Sequence, residues 1–264
     1  MNSTALQLRE QILRISNSSG HGHVPTCFSI VEMLQATYDC MRFDPARPQW
    51  DQRDIFILSK GHASLALYVT LAQRGFFPMQ DVYTFGKHLS RFGCHADRLK
   101  VPGVEASTGS LGHGIGLAVG MALAFKIAKN TRRAFTLIGD GESNEGTVWE
   151  AVMVAVDQKL SNLTILYDHN KSQGRCLQIR NPAERFAAFG CVVSEVPGHD
   201  LSALTQAIQR PRTQEAPHVI VADTVKGYGA KSLLDDPFAW HRRSPKETEL
   251  VQLLEEIHVH ANAV

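Results

Sequence analysis

Two apolar strands with a helix between them, each strand closed by a polar turn, constrain this chain more than any other stretch. Phe135 to Ile138 reads as a buried strand and Leu163 to Tyr167 as a second; between them Val148, Ala151, Val152 and Ala155 recur at helical spacing. Strand, helix and strand in that order make a βαβ unit with parallel strands. Their C-terminal ends share one edge of the sheet, where open α/β sheets place ligands. Gly139-Asp140-Gly141 closes the first strand, and Asn170 lies just past the second. Neighbouring strands sit about 4.8 Å apart and Mg²⁺ takes oxygens at about 2.0–2.1 Å, so one ion is within reach of both side chains. Gly139 and Gly141 carry no side chain beside Asp140, which leaves room for an anion against the backbone. A carboxylate there repels a diphosphate unless a cation lies between them. Asp140, the Asn170 amide, a carbonyl near Ser172, two diphosphate oxygens and a water would complete an octahedron. For Gly-Asp-Gly alone, an N-capping turn is the plainer reading; the two-ended arrangement favours the metal.

The rest of the chain alternates helix and strand patterns as a parallel sheet requires. Helical periodicity covers Leu6–Ser16, Ser29–Tyr38, Leu65–Gln73, Gly112–Ala128, Pro182–Phe189, Leu201–Gln209 and Lys246–His258; further strands are read at Ile55–Leu58, Val192–Val196 and His218–Thr224. The expected fold is a three-layer, doubly wound, mainly parallel α/β sheet with helices on both faces. With no internal repeat or linker, residues 1–264 read as one domain.

Net charge is +1 and no basic block is present, which disfavours nucleic acid and anionic membranes as partners. The N-terminus has an amphipathic helix pattern rather than that of a signal peptide. The most apolar run, Ile115 to Phe125, is too short to span a bilayer. The five cysteines (Cys27, Cys40, Cys94, Cys176 and Cys191) form no CxxC pair, so they read as reduced packing thiols of a cytoplasmic protein.

The stretch GDGESNEGTVWEAVMVAVDQKLSNLTILYDHN, Gly139 to Asn170, resembles the thiamine diphosphate motif of the transketolase family. Four further segments match in order: Gly22-His23 followed by FSIVEML; LSKGHASLALYVTLAQRGFF; HADRLKVPGVEASTGSLGHGIGLAVGMALAFK; and TVKGYGAKSLLDDPFAWH. The resemblance implies a divalent metal, Mg²⁺ or else Ca²⁺ or Mn²⁺, held by Asp140, Asn170 and the main-chain carbonyl of Ser172. It implies thiamine diphosphate contacts at His62, Gly109, Leu111, Gly139, Asp140, Gly141, Glu142, Asn170 and His241. It also implies that His23, His62, His95 and His241 line the reaction channel, where imidazole suits proton relay near neutrality. Taken singly, each histidine is equally readable as structural; His21, His88, His199, His258 and His260 lack a motif and default to the surface.

The same resemblance shows what 264 residues leave out. A full chain of the family has diphosphate-binding, pyrimidine-binding and C-terminal domains, and its catalytic glutamate lies in the second. All motifs here belong to the first. The expectation is therefore an N-terminal subunit that works with a partner carrying the pyrimidine-binding and C-terminal domains, in an α2β2 assembly. Together they would transfer a two-carbon ketol unit from a ketose to an aldehyde acceptor. The partner would meet an apolar face around Leu111 to Val119. Alternatives are a related acyl-transferring or decarboxylating thiamine enzyme, or a non-catalytic assembly subunit. Nicotinamide dehydrogenases would want GxGxxG after an early strand, and that pattern is absent. Departures from the family pattern are Pro25-Thr26 in place of Gly-Gly, His113 in place of Gln, His169 at a variable position, and Arg242-Arg243 where small residues are usual. The two arginines read either as an anion-binding pair at the channel mouth or as surface salt-bridge residues.

Overall fold

The apolar runs of the sequence pair side by side in the computed structural model, which describes residues 1–175 and 177–263. Strands β1 (Ile55–Leu58), β2 (Ala134–Gly139), β3 (Leu163–His169), β4 (Val192–Pro197) and β5 (His218–Asp223) form a parallel sheet in the order β1-β2-β3-β5-β4. Each expected strand is present to within a residue or two. The register sets Gly139 opposite Asp168 and His169 opposite Asp223, so Asp140 and Asn170 emerge together at the C-terminal edge.

Strand side chains alternate between two covers, as a period of two requires. Ile55, Ile57, Ile138, Ile165, Tyr167, Val219 and Val221 pack beneath α6 (His113–Ile127), α7 (Gly146–Asp157) and α8 (Pro182–Ala188). Phe56, Leu58, Phe135, Leu137, Leu166 and Ile220 face the opposite layer. That layer holds α1 (Ser3–Ser19), α2 (Val24–Phe28), α3 (Val31–Cys40), α4 (Ser64–Gln73), α9 (Leu201–Gln209), α10 (Lys231–Asp235) and α11 (Glu247–Ala263). A short helix, α5 (Met79–Val82), follows α4. The architecture is the expected three-layer α/β sandwich. Helices α2, α5 and α10 had no sequence expectation because four or five residues are too few for a periodic face.

Local chemistry sets several element ends. The Asn2 side chain accepts from the Ala5 N–H at 2.8 Å to cap α1, and Asp200 does the same for Ala203 on α9 at 3.0 Å. The entry to α6 needs glycine: Gly112 has φ +79°, and a Cβ there would lie 2.3 Å from Thr147 Oγ1.

Helix α6 corrects one expectation. Ile115, Ala118 and Val119 pack onto the sheet instead of facing outward. On this face the large exposed apolar side chains are Leu117 and Ile127 of α6 and Met153 and Val154 of α7. A helix apolar on every side carries no face that its sequence can reveal. Cys27, Cys40, Cys94 and Cys191 are unpaired, while Cys176 lies outside the described residues. Among the described residues no helix is long and apolar enough to cross a membrane.

Gly112→Ala should lower the unfolding free energy by about 1–3 kcal/mol, read from the urea midpoint. An unchanged midpoint would show that the αL turn and its contact with Thr147 are not needed.

Candidate functional site

At the C-terminal edge of β1, β2 and β3 lies a cavity of about 360 Å³. All twelve residues named as a site from the sequence line it: His23, His62, His95, Gly109, Leu111, Gly139, Asp140, Gly141, Glu142, Asn170, Ser172 and His241. Thr26, Lys60, Lys226 and Arg242 complete the lining.

The strand ends build the polar floor. Asp140 is buried, and its Oδ1 accepts from the Gly141 N–H and the Ser172 hydroxyl, both at 2.7 Å. Its Oδ2 is buried with no hydrogen-bond partner among the described residues. A carboxylate oxygen left bare in this way carries a large desolvation cost that a cation would offset. Asn170 Oδ1 accepts from the Ser172 N–H at 3.0 Å, so Ser172 braces both prospective ligands. One carboxylate, one amide and a nearby carbonyl form a hard-oxygen set that fits Mg²⁺. A Cβ added to Gly141 would meet nothing within 4 Å, so the side of the turn is open to a bulky anion.

Behind this floor sits a buried carboxylate that the sequence did not single out. Asp168 on β3 accepts from Lys60 Nζ at 2.5 Å, Asn170 Nδ2 at 2.6 Å, Ser29 Oγ at 2.8 Å and Thr224 Oγ1 at 2.5 Å. Burial alone would raise its pKa, but the Lys60 ammonium and these hydroxyls hold it below the ordinary value. Lys60 Nζ also donates to Thr26 Oγ1 at 2.8 Å. Lys60 stands two residues before His62, and Lys226 lies within the TVKG segment, so both were visible in matched blocks without any signal of their role.

Glu142 touches the cavity, yet its bonds serve the scaffold. Oε1 accepts from Ser59 Oγ at 2.5 Å and from the Gly112 N–H at 2.9 Å; Oε2 accepts from the Gly139 N–H at 3.0 Å. Burial lifts its pKa in spite of these donors. The side chain thereby ties the start of α6 to the end of β2.

The histidines form the opposite wall. The His23 ring lies 5.2 Å from that of His62 and 5.8 Å from that of His241, both edge to face. Lys226 Nζ donates to His241 Nδ1 at 3.0 Å. Burial and the neighbouring His241 and Arg242 lower the His23 pKa to about 4. Burial and the Lys60 charge lower that of His62 to about 2. His241 is also lowered, by burial and by Lys226. Tyr68 fixes the His95 loop by donating to the carbonyls of Gly93 and His95 at 3.0 and 3.1 Å. Both rings of the closely packed pair His23 and His62 are therefore neutral near pH 7.

Two of the remaining histidines need comment. His199 is not a surface residue: its Nδ1 bonds Glu32 at 3.0 Å, its Nε2 accepts from the Val225 N–H, and its ring stacks on Tyr228 at 3.6 Å. Sequence could not show this, because Glu32 and Tyr228 reach it from remote segments. His113 is exposed, with Nδ1 3.1 Å from the Leu111 carbonyl. The two arginines separate. Arg243 stacks on Trp240 at 3.5 Å and pairs with Glu249 at 2.9 Å, whereas Arg242 lines the cavity.

The fold and site define a parallel α/β domain that gathers a buried carboxylate, an amide, histidines and cationic side chains in one cavity at the sheet edge. Comparison with known proteins gives the family. Residues 5–257 match the family described as transketolase, thiamine diphosphate binding domain. The 6-deoxy-6-sulfo-D-fructose transketolase subunit of a Clostridium species is 39% identical over 231 residues, covering 84% of this chain and 84% of that protein. One of the apulose-4-phosphate transketolase subunits, from Actinobacillus succinogenes, is 36% identical over 255 residues, covering 94% of this chain and 92% of that protein. The crystal structure of Campylobacter jejuni transketolase superimposes with TM-score 0.87 at 27% identity, covering 98% of this chain and 43% of that one. The chain belongs to the transketolase thiamine diphosphate-binding domain family, and it spans less than half of that solved transketolase.

His23, His62 and the buried His218, lowered to about 4, titrate below the ordinary 6.5. As pH falls below about 6.5 the unfolded chain takes up protons that the folded chain refuses, so stability present above that value is lost on the way to about pH 4 for His23 and His218 and to about pH 2 for His62. Urea midpoints should fall over this window, and less steeply in a His23→Gln/His62→Gln double variant. Equal slopes in the two proteins would contradict the assignment of neutral, desolvated rings.

Proposed function

We propose that this chain is the diphosphate-binding N-terminal subunit of a two-chain, transketolase-like transferase. It would move a two-carbon ketol unit from a ketose donor to an aldehyde acceptor. The observation that carries the reading is the buried Asp140 Oδ2, bare of any hydrogen-bond partner among the described residues, beside the open face of Gly141. In this reading Asp140, Asn170 and the Ser172 carbonyl hold Mg²⁺, and Gly139, Gly141 and His62 approach the diphosphate. Lys60 and Lys226 supply positive charge nearby; burial and the Lys60 charge lower the Lys226 pKa, a shift that a bound anion would reverse. Gly109 and Leu111 support the middle of the cofactor. Thiamine diphosphate, when bound, supplies the carbon centre that carries the two-carbon fragment.

The protein's own part is to bind, orient and relay. His23, His95 and His241 face the cavity and would hydrogen-bond substrate hydroxyls and carbonyl oxygen, with His62 shared between cofactor and channel. Neutral imidazoles both donate and accept, so they can pass a proton without first losing one.

Relatives named as transketolase subunits imply a second chain. We assign it the pyrimidine-binding and C-terminal domains and the catalytic glutamate, in an α2β2 assembly. Two surfaces support a partner: Leu117, Ile127, Met153 and Val154 on α6 and α7, and an apolar trough of about 600 Å³ walled by Val225, Leu234 and Phe238. The trough shares Asn170, Ser172, Lys226 and His241 with the cavity, so a chain seated there would close the site. The names of the relatives specify a ketose sulfonate and a ketose phosphate; for this chain a ketose bearing a terminal anion is the favoured donor class. Unpaired cysteines suit a cytoplasmic setting.

Calorimetric titration of thiamine diphosphate with Mg²⁺ tests the reading, with the chain alone and co-expressed with its candidate partner. Tight binding is expected only in the assembly, weakened about a hundredfold or more by Asp140→Ala. Absence of binding in both samples, or full affinity in the variant, would overturn it.

A further inference from the structure

The arginine pair after His241 is split by the fold. Arg243 is consumed by structure: its guanidinium lies 3.5 Å from the centre of the buried Trp240 ring, and both Glu249 oxygens accept from its Nη1 at 2.9 Å. Glu249 in turn accepts the Lys246 N–H at 2.8 Å at the start of α11. His241 on the other side is bonded to Lys226 at 3.0 Å. Arg242 is thus carried between two anchored neighbours. Arg242 itself is exposed and lines the cavity, and its guanidinium has no hydrogen bond or ion pair among the described residues.

We propose that Arg242 is a specificity-determining residue that binds the terminal anion of the sugar substrate, a phosphate or sulfonate, as it enters the cavity. This rests on the transferase reading above. Three arguments support it. A guanidinium offers a planar fork of N–H donors that matches two oxygens of a tetrahedral oxyanion. Neither acidic group of the cavity pairs with Arg242: Asp140 accepts through Oδ1 from Gly141 and Ser172, and Glu142 takes three donors from Ser59, Gly112 and Gly139. Nothing of opposite charge among the described residues competes for Arg242. Its charge also weighs on His23 and His241, lowering both. An anion seated on Arg242 would relieve that repulsion, so binding the correct substrate restores basicity to the imidazoles beside it.

The test uses the assembled two-chain enzyme loaded with Mg²⁺ and thiamine diphosphate, which removes the diphosphate pocket as a competing anion site. Wild type, Arg242→Gln and Arg243→Gln are compared on D-xylulose 5-phosphate, its 5-sulfonate analogue and D-xylulose. Calorimetry with an unreactive pentitol 5-phosphate gives a readout independent of turnover. Arg242→Gln should cut the kcat/KM ratio of anionic to neutral ketose, and the analogue's affinity, by about tenfold to a hundredfold. Arg243→Gln should lower stability while keeping that ratio. A loss for both oxyanions assigns the shared chemistry, and the larger loss identifies which of the two the site is built for. An unchanged ratio and affinity in Arg242→Gln, with the cofactor bound normally, overturns the inference alone. Failure of the assembly to bind Mg²⁺ and thiamine diphosphate overturns the transferase reading and takes this inference with it.

Discussion

One buried carboxylate organises the working edge of this sheet. Asp168 receives donors from the turn before α3 (Ser29), from two residues past the end of β1 (Lys60), from just beyond its own strand (Asn170) and from just past β5 (Thr224). Four separate stretches of chain therefore meet on two oxygen atoms. The ion pair with Lys60 has both side chains almost wholly excluded from water. Pairs of this kind add little net stability against an apolar core, yet losing one partner costs about 3–5 kcal/mol because the other charge is stranded. What the pair secures is position. The Asn170 Nδ2 is held by Asp168, so the amide oxygen must turn the other way, towards the Ser172 N–H and the cradle of Asp140.

Strand β3 shows what the sequence could and could not reveal. Its apolar run marked it as buried, and its pairing with β2 followed from the helix between them; the edge location of Asp140 and Asn170 came with that topology. Asp168 lies one residue past the expected strand, and nothing in the sequence singled it out. Its importance depends on Ser29, Lys60 and Thr224, which lie 139, 108 and 56 residues away in sequence. Lys60 was hidden in the same way, as the neighbour of a conspicuous glycine and histidine. Arg242 and Arg243 were alike on paper, and only the placement of Trp240 and Glu249 tells them apart. Periodicity reports on a residue's own element, whereas these roles are set by partners brought in by the fold.

The same limit explains the outer faces of α6 and α7. A globular helix normally announces its buried stripe by polar residues on the other side. Between His113 and Lys126 helix α6 has none, and it leaves Leu117 and Ile127 in water while Ile115 and Ala118 face the sheet. A chain that ended its folding here would gain from polar residues at those positions. Retaining apolar ones fits a domain whose outer layer is completed by another chain.

The two walls of the cavity are coupled through charge. On the strand side, the bare Asp140 oxygen seeks a cation. On the other side, Lys60, Lys226 and Arg242 surround imidazoles whose protonated forms are already disfavoured by burial. A site of this composition favours a cation at one end and an anion at the other. In the proposed reading, a metal-bound diphosphate and a terminally charged sugar would answer both needs at once. Because anions seated near Lys226 and Arg242 favour protonation of His23 and His241, the imidazoles gain basicity as the site fills. The lowered histidine pKa values thus hold these groups in neutral form, and under the proposed reading a bound anion would raise their basicity.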